Sequence, residues 1–577
     1  MKKIIFEYLL DNNKFALFLI IILTFLNIFL EVIGLALFIP LLKVLLVKDS
    51  YIYYLENYLN YQYFLDLNYS DFLLFLLIAI FLIIVIKNLL IVLSTYVQHV
   101  FFNKFEINIT TKLFENYLNK EFIFYSDANS SIILRNLRNE TTSTLIYFQA
   151  LISIITELLI LIGIIVFLLS TNFLSTLVVI AITAPAILIY NLTTKKFLLE
   201  LGKKRILLDG IINKNFTESI GAIKELKLYG KESVFVELVK SNLKKFFKIH
   251  IIFAILNFFP RHMLEILIVS SLLVIIFLIE NNLILTDSGG TFVVLGLFAV
   301  ASARILPSVS KLLTNYQSSR FRISSVYLIS AEIEKLNELQ TSKDLDFKNN
   351  DNIFFKDKQF IINLRNVSFK YPKSLNNILR NINLDLVTNK IYGIVGKTGS
   401  GKTTLIDLIS GFHKPSDGKI LANDIDISNN LSKWRKNFAY VSQNIFLFDS
   451  SIEKNISLET DEKLIDKKVL NQALIDSQLS EFVNNLPNNS KTIVGQNGAR
   501  LSGGQIQRIG IARAMYQQSK CVIFDESTNA LDEVTEVEIL KMIQKIKKDK
   551  LIIIISHNKS SLKICDEVIT VKDGSLI

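Results

Sequence analysis

The chain has 577 residues, 51% of them hydrophobic, with a mean hydropathy of +0.41, a net charge of +11 and a pI near 9.2. It is too apolar for a soluble protein of this size, and the apolar residues crowd before about residue 325. In a soluble protein such basicity would suggest nucleic acid. Here Lys and Arg gather in the polar connections between apolar runs, as in cytoplasmic loops facing anionic lipid, so no nucleic-acid partner is expected.

In chain order, six stretches are long and apolar enough to cross a bilayer, near 14–47, 72–102, 146–168, 172–195, 249–280 and 290–315. Several exceed the roughly 20 residues a bilayer needs, so their ends are expected to continue as helix into water. The leading stretch is not a cleavable signal: its apolar run is too long and lacks a small-residue cleavage site. Segment 48–71 carries Tyr51, Tyr53, Tyr54, Tyr58, Tyr61 and Tyr63. It reads either as an amphipathic helix on the outer leaflet or as an aromatic anchor for the first two spans. Connections 103–145 and 196–248 are long and basic, with Lys104, Lys112, Lys120, Arg135 and Arg138 in one and Lys203, Lys204 and Arg205 in the other. That bias places the long loops, both termini and the soluble part in the cytoplasm. The two cysteines, Cys521 and Cys565, imply no disulfide framework.

Residues 340–356 are rich in Asn, Asp and Lys. The expected organisation is a membrane domain over 1–325, a linker over 326–356 and a soluble domain over 357–577. In the last, Phe360–Phe369, Ile391–Val395, Val522–Phe524 and Leu551–Ile555 read as strands alternating with helices, which argues a mostly parallel sheet. The fold class is an all-α polytopic membrane domain followed by an α/β domain, and the glycine-rich Gly396–Thr403 after the strand Ile391–Val395 makes the latter a P-loop NTPase domain.

Gly396-Lys397-Thr398-Gly399-Ser400-Gly401-Lys402-Thr403 fits the phosphate-loop pattern between a strand and a helix. Its glycines let backbone N–H groups approach phosphate oxygens. Lys402 brings charge to the β- and γ-phosphates, and Thr403, followed by Thr404, offers its hydroxyl to Mg²⁺. Asp525 and Glu526 end an apolar strand, where Asp525 suits a metal–phosphate site.

Ionisable residues inside the spans are costly, about 2.5–3.5 kcal/mol each at a helix centre. They are Glu31, Lys87, Glu157, Arg261, Glu265, Arg304 and Lys311. Lys87, Arg261, Arg304 and Lys311 lie at similar depth on three spans and suggest a positive cavity for an anionic group. The competing reading is internal ion pairing, with Arg261 and Glu265 at i, i+4.

With Leu501-Ser502-Gly503-Gly504-Gln505 between the phosphate loop and Asp525-Glu526, residues 360–577 resemble the ATP-binding cassette (ABC) family. The resemblance implies ATP and Mg²⁺ as cofactors. It gives Glu526 the role of polarising the attacking water and His557 a contact to the γ-phosphate. Gln443 matches the Q-loop, touching Mg²⁺ and water, and Tyr371 the aromatic that stacks on adenine. Ala530-Leu531-Asp532 matches the D-loop. Ser502, Gly503, Gly504 and Gln505 would cap the nucleotide held by a second cassette, so a homodimer is implied. Gln496 departs from the glutamate of many exporters.

Six spans ahead of one cassette resemble an ABC exporter half-transporter: an ATPase coupled to transport in a bacterial inner membrane, its cassette in the cytoplasm. Short coupling helices are expected near Phe122–Ser130 and Lys204–Asn213. Leu26–Leu42, Phe259-Pro260-Arg261 and Arg304-Ile305-Leu306-Pro307-Ser308, with Lys87, resemble PglK-type flippases of lipid-linked oligosaccharides. The implied substrate is amphipathic, anionic and lipid-linked, taken from the membrane. Alternatives are a lipid A-like glycolipid, a drug or a peptide, or, in another class, an ATP-gated channel or receptor.

Overall fold

The computed structural model describes residues 14–46, 50–58, 68–281, 290–340, 354, 359–372, 374, 376–528 and 531–577. Much of the tyrosine-rich segment 48–71, most of 341–358 and Ala530 lie outside the described residues. The chain forms two compact units, one of residues 1–120 and 127–345, the other of residues 121–126 and 346–577.

The first unit is helical, and among the described residues six helices or helix groups are long and apolar enough to span. In chain order the helices are α1 (Lys14–Ala36), α2 (Phe38–Leu46), α3 (Ser50–Tyr58), α4 (Tyr69–Leu118), α5 (Phe122–Asp127, mostly in the second unit), α6 (Ser130–Arg135), α7 (Thr141–Thr171), α8 (Phe173–Gly221), α9 (Ile223–Tyr229), α10 (Glu232–Glu280) and α11 (Gly290–Gln340). Four of these run 49–51 residues, well past the roughly 20 that cross a bilayer. Pro185, Pro260 and Pro307 stand inside α8, α10 and α11, which membrane helices tolerate where neighbours re-satisfy the backbone. Hydroxyls return their hydrogen bonds to the preceding turn, as from Thr24 to the Ile20 carbonyl at 2.8 Å. Gly202 lets α8 and α11 meet: a Cβ there would fall 2.0 Å from the Phe321 carbonyl oxygen.

Two expectations shift. Residues 326–340, assigned to the linker, continue α11, because Val326, Ile329 and Ile333 bury one helical face. Lys204–Asn213 is uninterrupted α8, its buried Arg205, Ile206, Gly210 and Ile212 facing the bundle. The short helix of that loop is α9, which ends at Gly230 with φ +60, the left-handed stop that favours glycine.

The second unit holds two sheets. An antiparallel one orders β2 (Leu379–Val387), β1 (Ile361–Phe369), β4 (Asp417–Ala422) and β5 (Ile425–Asp426). The other orders β10 (Ser575–Leu576), β9 (Glu567–Lys572), β3 (Ile391–Val395), β8 (Leu551–Ile555), β7 (Cys521–Asp525) and β6 (Phe438–Val441), parallel except at β10. β7 and β8 are buried on both faces, which explains their continuous apolar runs. Helix α12 (Lys402–Ile409) follows β3. Helices α13 (Ile452–Ser457), α14 (Lys467–Asp476) and α15 (Gly503–Tyr516) share an apolar cluster with Leu447, Ile456, Leu470 and Ile509. Helix α16 (Glu533–Ile546) packs Ile539 and Ile543 against Phe524 and Ile554.

Candidate functional site

The phosphate loop connects β3 to α12. Gly399 and Gly401 take φ +83 and +105, which only glycine adopts without strain. Gly401 is the N-cap of α12 and offers no side-chain cap, so the first N–H groups of the helix point unclaimed toward the loop. Lys402 Nζ donates to the carbonyls of Gly396 (2.7 Å) and Lys397 (3.3 Å) and so bends over this loop. Ser400 Oγ is buried without a hydrogen-bond partner. Lys397, Thr398 and Thr403 are exposed, Thr404 buried. Uncapped donors, an orphaned hydroxyl and a folded-over ammonium fit a triphosphate.

Asp525 and Glu526 stand at the end of β7, in the sheet that also carries β3 and the phosphate loop. Asp525 Oδ2 accepts from the Tyr440 hydroxyl at 2.6 Å. Glu526 Oε2 accepts from Gln443 Nε2 at 2.7 Å, and His557 Nε2 lies 3.8 Å from Glu526 Oε1. Glu526 takes φ +46 while its N–H bonds the Ile555 carbonyl at 2.9 Å. That left-handed turn directs consecutive carboxylates apart, one toward Tyr440 and the other toward Gln443. Asp525, Gln443 and Thr403 supply oxygen donors that suit Mg²⁺.

Tyr440 escaped the sequence reading, although its place three residues before Gln443, on the strand beside β7, could have flagged it. Burial and the Asp525 charge push its hydroxyl pKa up, so it stays a donor. Asp407 on α12 was also missed. Burial, then the charge of Asp525, raises its carboxyl from 3.8 to about 6.

Tyr371 packs edge-on against Phe369 (5.1 Å) and His413 (5.6 Å), with its hydroxyl 3.5 Å from Thr404 Oγ1. His413, without context in the sequence, is buried here. It stacks on Phe369 at 5.1 Å, and its Nε2 is 3.6 Å from Asp407 Oδ2. Residues 121–126 reach the same place: Phe122 lies 5.0 Å from Phe412 and 5.9 Å from His413, and Glu121 pairs with Lys414 at 2.7 Å.

Ser502, Gly503, Gly504 and Gln505 open α15 as a reciprocal capping box. Gln505 N–H donates to Ser502 Oγ (3.3 Å), and Ser502 N–H donates to Gln505 Oε1 (2.9 Å). Asp532 caps α16 by accepting from Thr535 N–H at 3.1 Å, and hydrogen bonds from the Thr535 hydroxyl first, then its N–H, lower the Asp532 carboxyl pKa.

In the first unit, Glu31 on α1 is 6% exposed and holds two cations. Lys87 Nζ on α4 is 3.2 Å away and Arg304 Nε on α11 is 2.7 Å away. Lys311 instead sits 3.6 Å from Glu157 on α7. Arg261 is exposed on α10, and Glu265 lies 4.0 Å from His262, not in an ion pair with Arg261. The cations expected in one cavity therefore fall into a Lys87–Arg304 pair sharing one carboxylate, a paired Lys311 and a separate Arg261.

Comparison with known proteins agrees with this architecture. Residues 17–320 match the model of the ABC transporter transmembrane region, and 379–529 that of the ABC transporter cassette. The chain is 31% identical over 290 residues to an ATP-dependent lipid A-core flippase of Pasteurella multocida, an alignment covering 50% of this chain and 48% of that protein. It is 27% identical over 435 residues to the protein of that name from Chromohalobacter salexigens, covering 74% and 72%. With the one from Wigglesworthia glossinidia brevipalpis it shares 26% over 490 residues, covering 82% and 80%. A solved bacterial Atm1-family ABC exporter with ATP bound superposes with a TM-score of 0.78 over 98% of this chain and 94% of that one; at 18% identity this supports the fold alone. From its six-helix membrane region and its phosphate-loop cassette together, the chain belongs to the ABC transporters.

Proposed function

We propose that this protein is an ATP-driven flippase of a phosphate-bearing glycolipid, acting as a homodimer in a bacterial inner membrane. The observation that carries the cargo reading is Glu31 shared between Lys87 and Arg304. Three helices place two cations and one carboxylate inside the apolar bundle, leaving one positive charge over. A charge held there is costly, and an anionic headgroup entering the bundle offsets it through charge-assisted bonds. The lipid tail stays in the bilayer. The relatives named as lipid A-core flippases favour a lipid A-like cargo. The short matches around Pro260 and Pro307 favour a lipid-linked oligosaccharide.

Turnover follows from the cassette. ATP bound with Mg²⁺ supplies the free energy of transport. Lys402 and the uncapped N–H groups of α12 would bind the phosphates, and Thr403, Asp525 and Gln443 would hold the metal. Glu526 accepts the proton of the attacking water, with Gln443 fixing one carboxylate oxygen and His557 near the other. Ser502 through Gln505 of one copy close on the nucleotide of the other. A gated channel has no need of a placed base such as Glu526.

The test respects the pairing. Removing Lys87 and Arg304 alone leaves Glu31 buried without a partner, which costs about 3–5 kcal/mol and confuses misfolding with lost transport. The triple change Glu31→Gln, Lys87→Gln and Arg304→Gln removes the charges together. In vesicles it should keep ATP hydrolysis within about threefold of wild type (roughly 0.65 kcal/mol) and lose flipping of a phosphate-bearing glycolipid. If flipping survives, the cluster is structural ion pairing and the cargo reading falls.

A further inference from the structure

A second charged node lies away from Glu31, where the π-helical turn Asn136–Glu140 ahead of α7 meets α8, α10 and α11. Arg205 Nη2 donates at 2.8 Å both to Glu140 Oε2 and to Ser325 Oγ. Glu140 is fully buried and Arg205 is 7% exposed. Arg322 comes from α11, and Arg205 and Arg322 lie 5.8 and 5.9 Å from the centre of the same Phe321 ring. The His250 ring is 6.1 Å from it. Two guanidiniums and an imidazole thus surround one aromatic ring, with one carboxylate among them. Arg205 Nε, Arg322 Nε and Nη1, and His250 Nε2 are buried without hydrogen-bond partners. Asp209, the nearest further acid on α8, is engaged by Asn139 at 2.8 Å. Buried guanidinium N–H groups without acceptors are costly, and their planar forks match phosphate oxygens.

The depth of this node is consistent across four helices. Arg205, His250 and Arg322 stand 30 to 32 residues from the outer ends of α8, α10 and α11, and Glu140, which closes the π-helical turn Asn136–Glu140 just before α7, stands 31 residues from the outer end of α7. At 1.5 Å per residue that is about 45–48 Å, against roughly 40–45 Å for a bilayer with its headgroups. The node therefore sits at or just beyond the cytoplasmic headgroup layer. Around it Lys203, Lys204, Lys244, Lys245 and Lys248 are exposed, a basic surface of the kind that gathers anionic lipid.

We propose that Arg205, Arg322 and His250 form a binding site for the phosphate of an anionic inner-leaflet lipid, separate from the transport cluster at Glu31. Glu140 neutralises Arg205 and fixes its guanidinium. Arg322 and His250 provide the open donors, and the acyl chains lie along the outside of the bundle. Occupancy ties α8, α10 and α11 together at the level where they leave the membrane.

The probe is dioctanoyl phosphatidylglycerol, titrated into the detergent-purified full chain while thermal unfolding is followed. Inorganic phosphate and dioctanoyl phosphatidylcholine are run in parallel. Arg322→Gln and His250→Gln are the variants, since neither residue pairs with Glu140 and both changes keep polarity. A saturable rise in Tm is expected for the wild type with phosphatidylglycerol, at least tenfold weaker in half-saturating concentration for Arg322→Gln, and much smaller with phosphatidylcholine. An equal response to inorganic phosphate would overturn the lipid as the source. An unchanged response in both variants would overturn the site. If Arg322→Gln instead loosens the dimer and no lipid shifts Tm, the open donors are met by the second copy and the proposal fails.

Discussion

Replacing Glu526 by glutamine separates binding from chemistry, and the geometry fixes how cleanly. The carboxylate accepts a bond from Gln443 Nε2 at 2.7 Å. A glutamine of the same shape can turn its carbonyl toward Gln443 and keep that bond in neutral form, at a cost of about 1 kcal/mol. His557, 3.8 Å from the other oxygen, then faces the amide nitrogen. The strand end and the left-handed turn at residue 526 are untouched. What disappears is the proposed base, worth roughly 10²–10⁴ in rate, or about 2.7–5.4 kcal/mol of barrier at 1.36 kcal/mol per decade. Loss of chemistry therefore outweighs loss of structure. Phosphate release and nucleotide affinity measured on one reconstituted preparation should show hydrolysis down at least a hundredfold and ATP affinity within about twofold (roughly 0.4 kcal/mol). Hydrolysis above a third of wild type would refute the assignment of the base.

Other expectations follow from named contacts. Tyr440→Phe removes the donor that orients Asp525. The Mg²⁺ concentration for half-maximal ATPase should rise about three- to tenfold, of order 1 kcal/mol for one charge-assisted bond, with KM for ATP at saturating Mg²⁺ little changed; an unshifted Mg²⁺ profile contradicts this. Asp407 has its folded pKa raised to about 6. Its stabilising contribution is thus complete below about 3.8 and lost as pH rises through about 6. Asp407→Asn should raise the Tm of the nucleotide- and Mg²⁺-free cassette at pH 7.5 and flatten its pH dependence between 5 and 7; a steeper dependence would count against it. Gly202→Ala drives a methyl to 2.0 Å from the Phe321 carbonyl oxygen, forcing α8 and α11 apart at about 1–3 kcal/mol. Unfolding in mild detergent should show the loss, and an unchanged Tm would mean the two helices separate freely.

How far the sequence could be read depended on whether a feature is local. The capping box is written as Ser502-x-x-Gln505 and formed as written. The phosphate loop declares itself through its glycines, and the unusual length of the spans already required helix beyond the bilayer. Features made by residues far apart in sequence were harder to see. Tyr440 and Asp525 meet only because β6 and β7 are parallel neighbours. Glu31, Lys87 and Arg304 were each visible as costly charges, but that one carboxylate serves two cations depends on packing of α1, α4 and α11. The antiparallel sheet of β1, β2, β4 and β5 went unseen beyond its first strand, since its pairing spans residues 361–426. The second short helix was misplaced because nothing in Lys204–Asn213 breaks helical periodicity. The break comes only at Gly221–Ala222.

The central claim is that ATP hydrolysis moves a lipid by its phosphate. It is tested most directly in vesicles holding the wild-type protein with ATP and Mg²⁺, each loaded with a fluorescent cargo: a lipid A-type glycolipid, a lipid-linked oligosaccharide, and each of them stripped of phosphate. Leaflet exchange is read by quenching from outside. ATP-dependent exchange is expected of at least one phosphate-bearing glycolipid, none in the Glu526→Gln protein, and at least tenfold slower exchange of its dephosphorylated form. Equal exchange with and without phosphate, or movement of a peptide while both glycolipids stay in place, would contradict it.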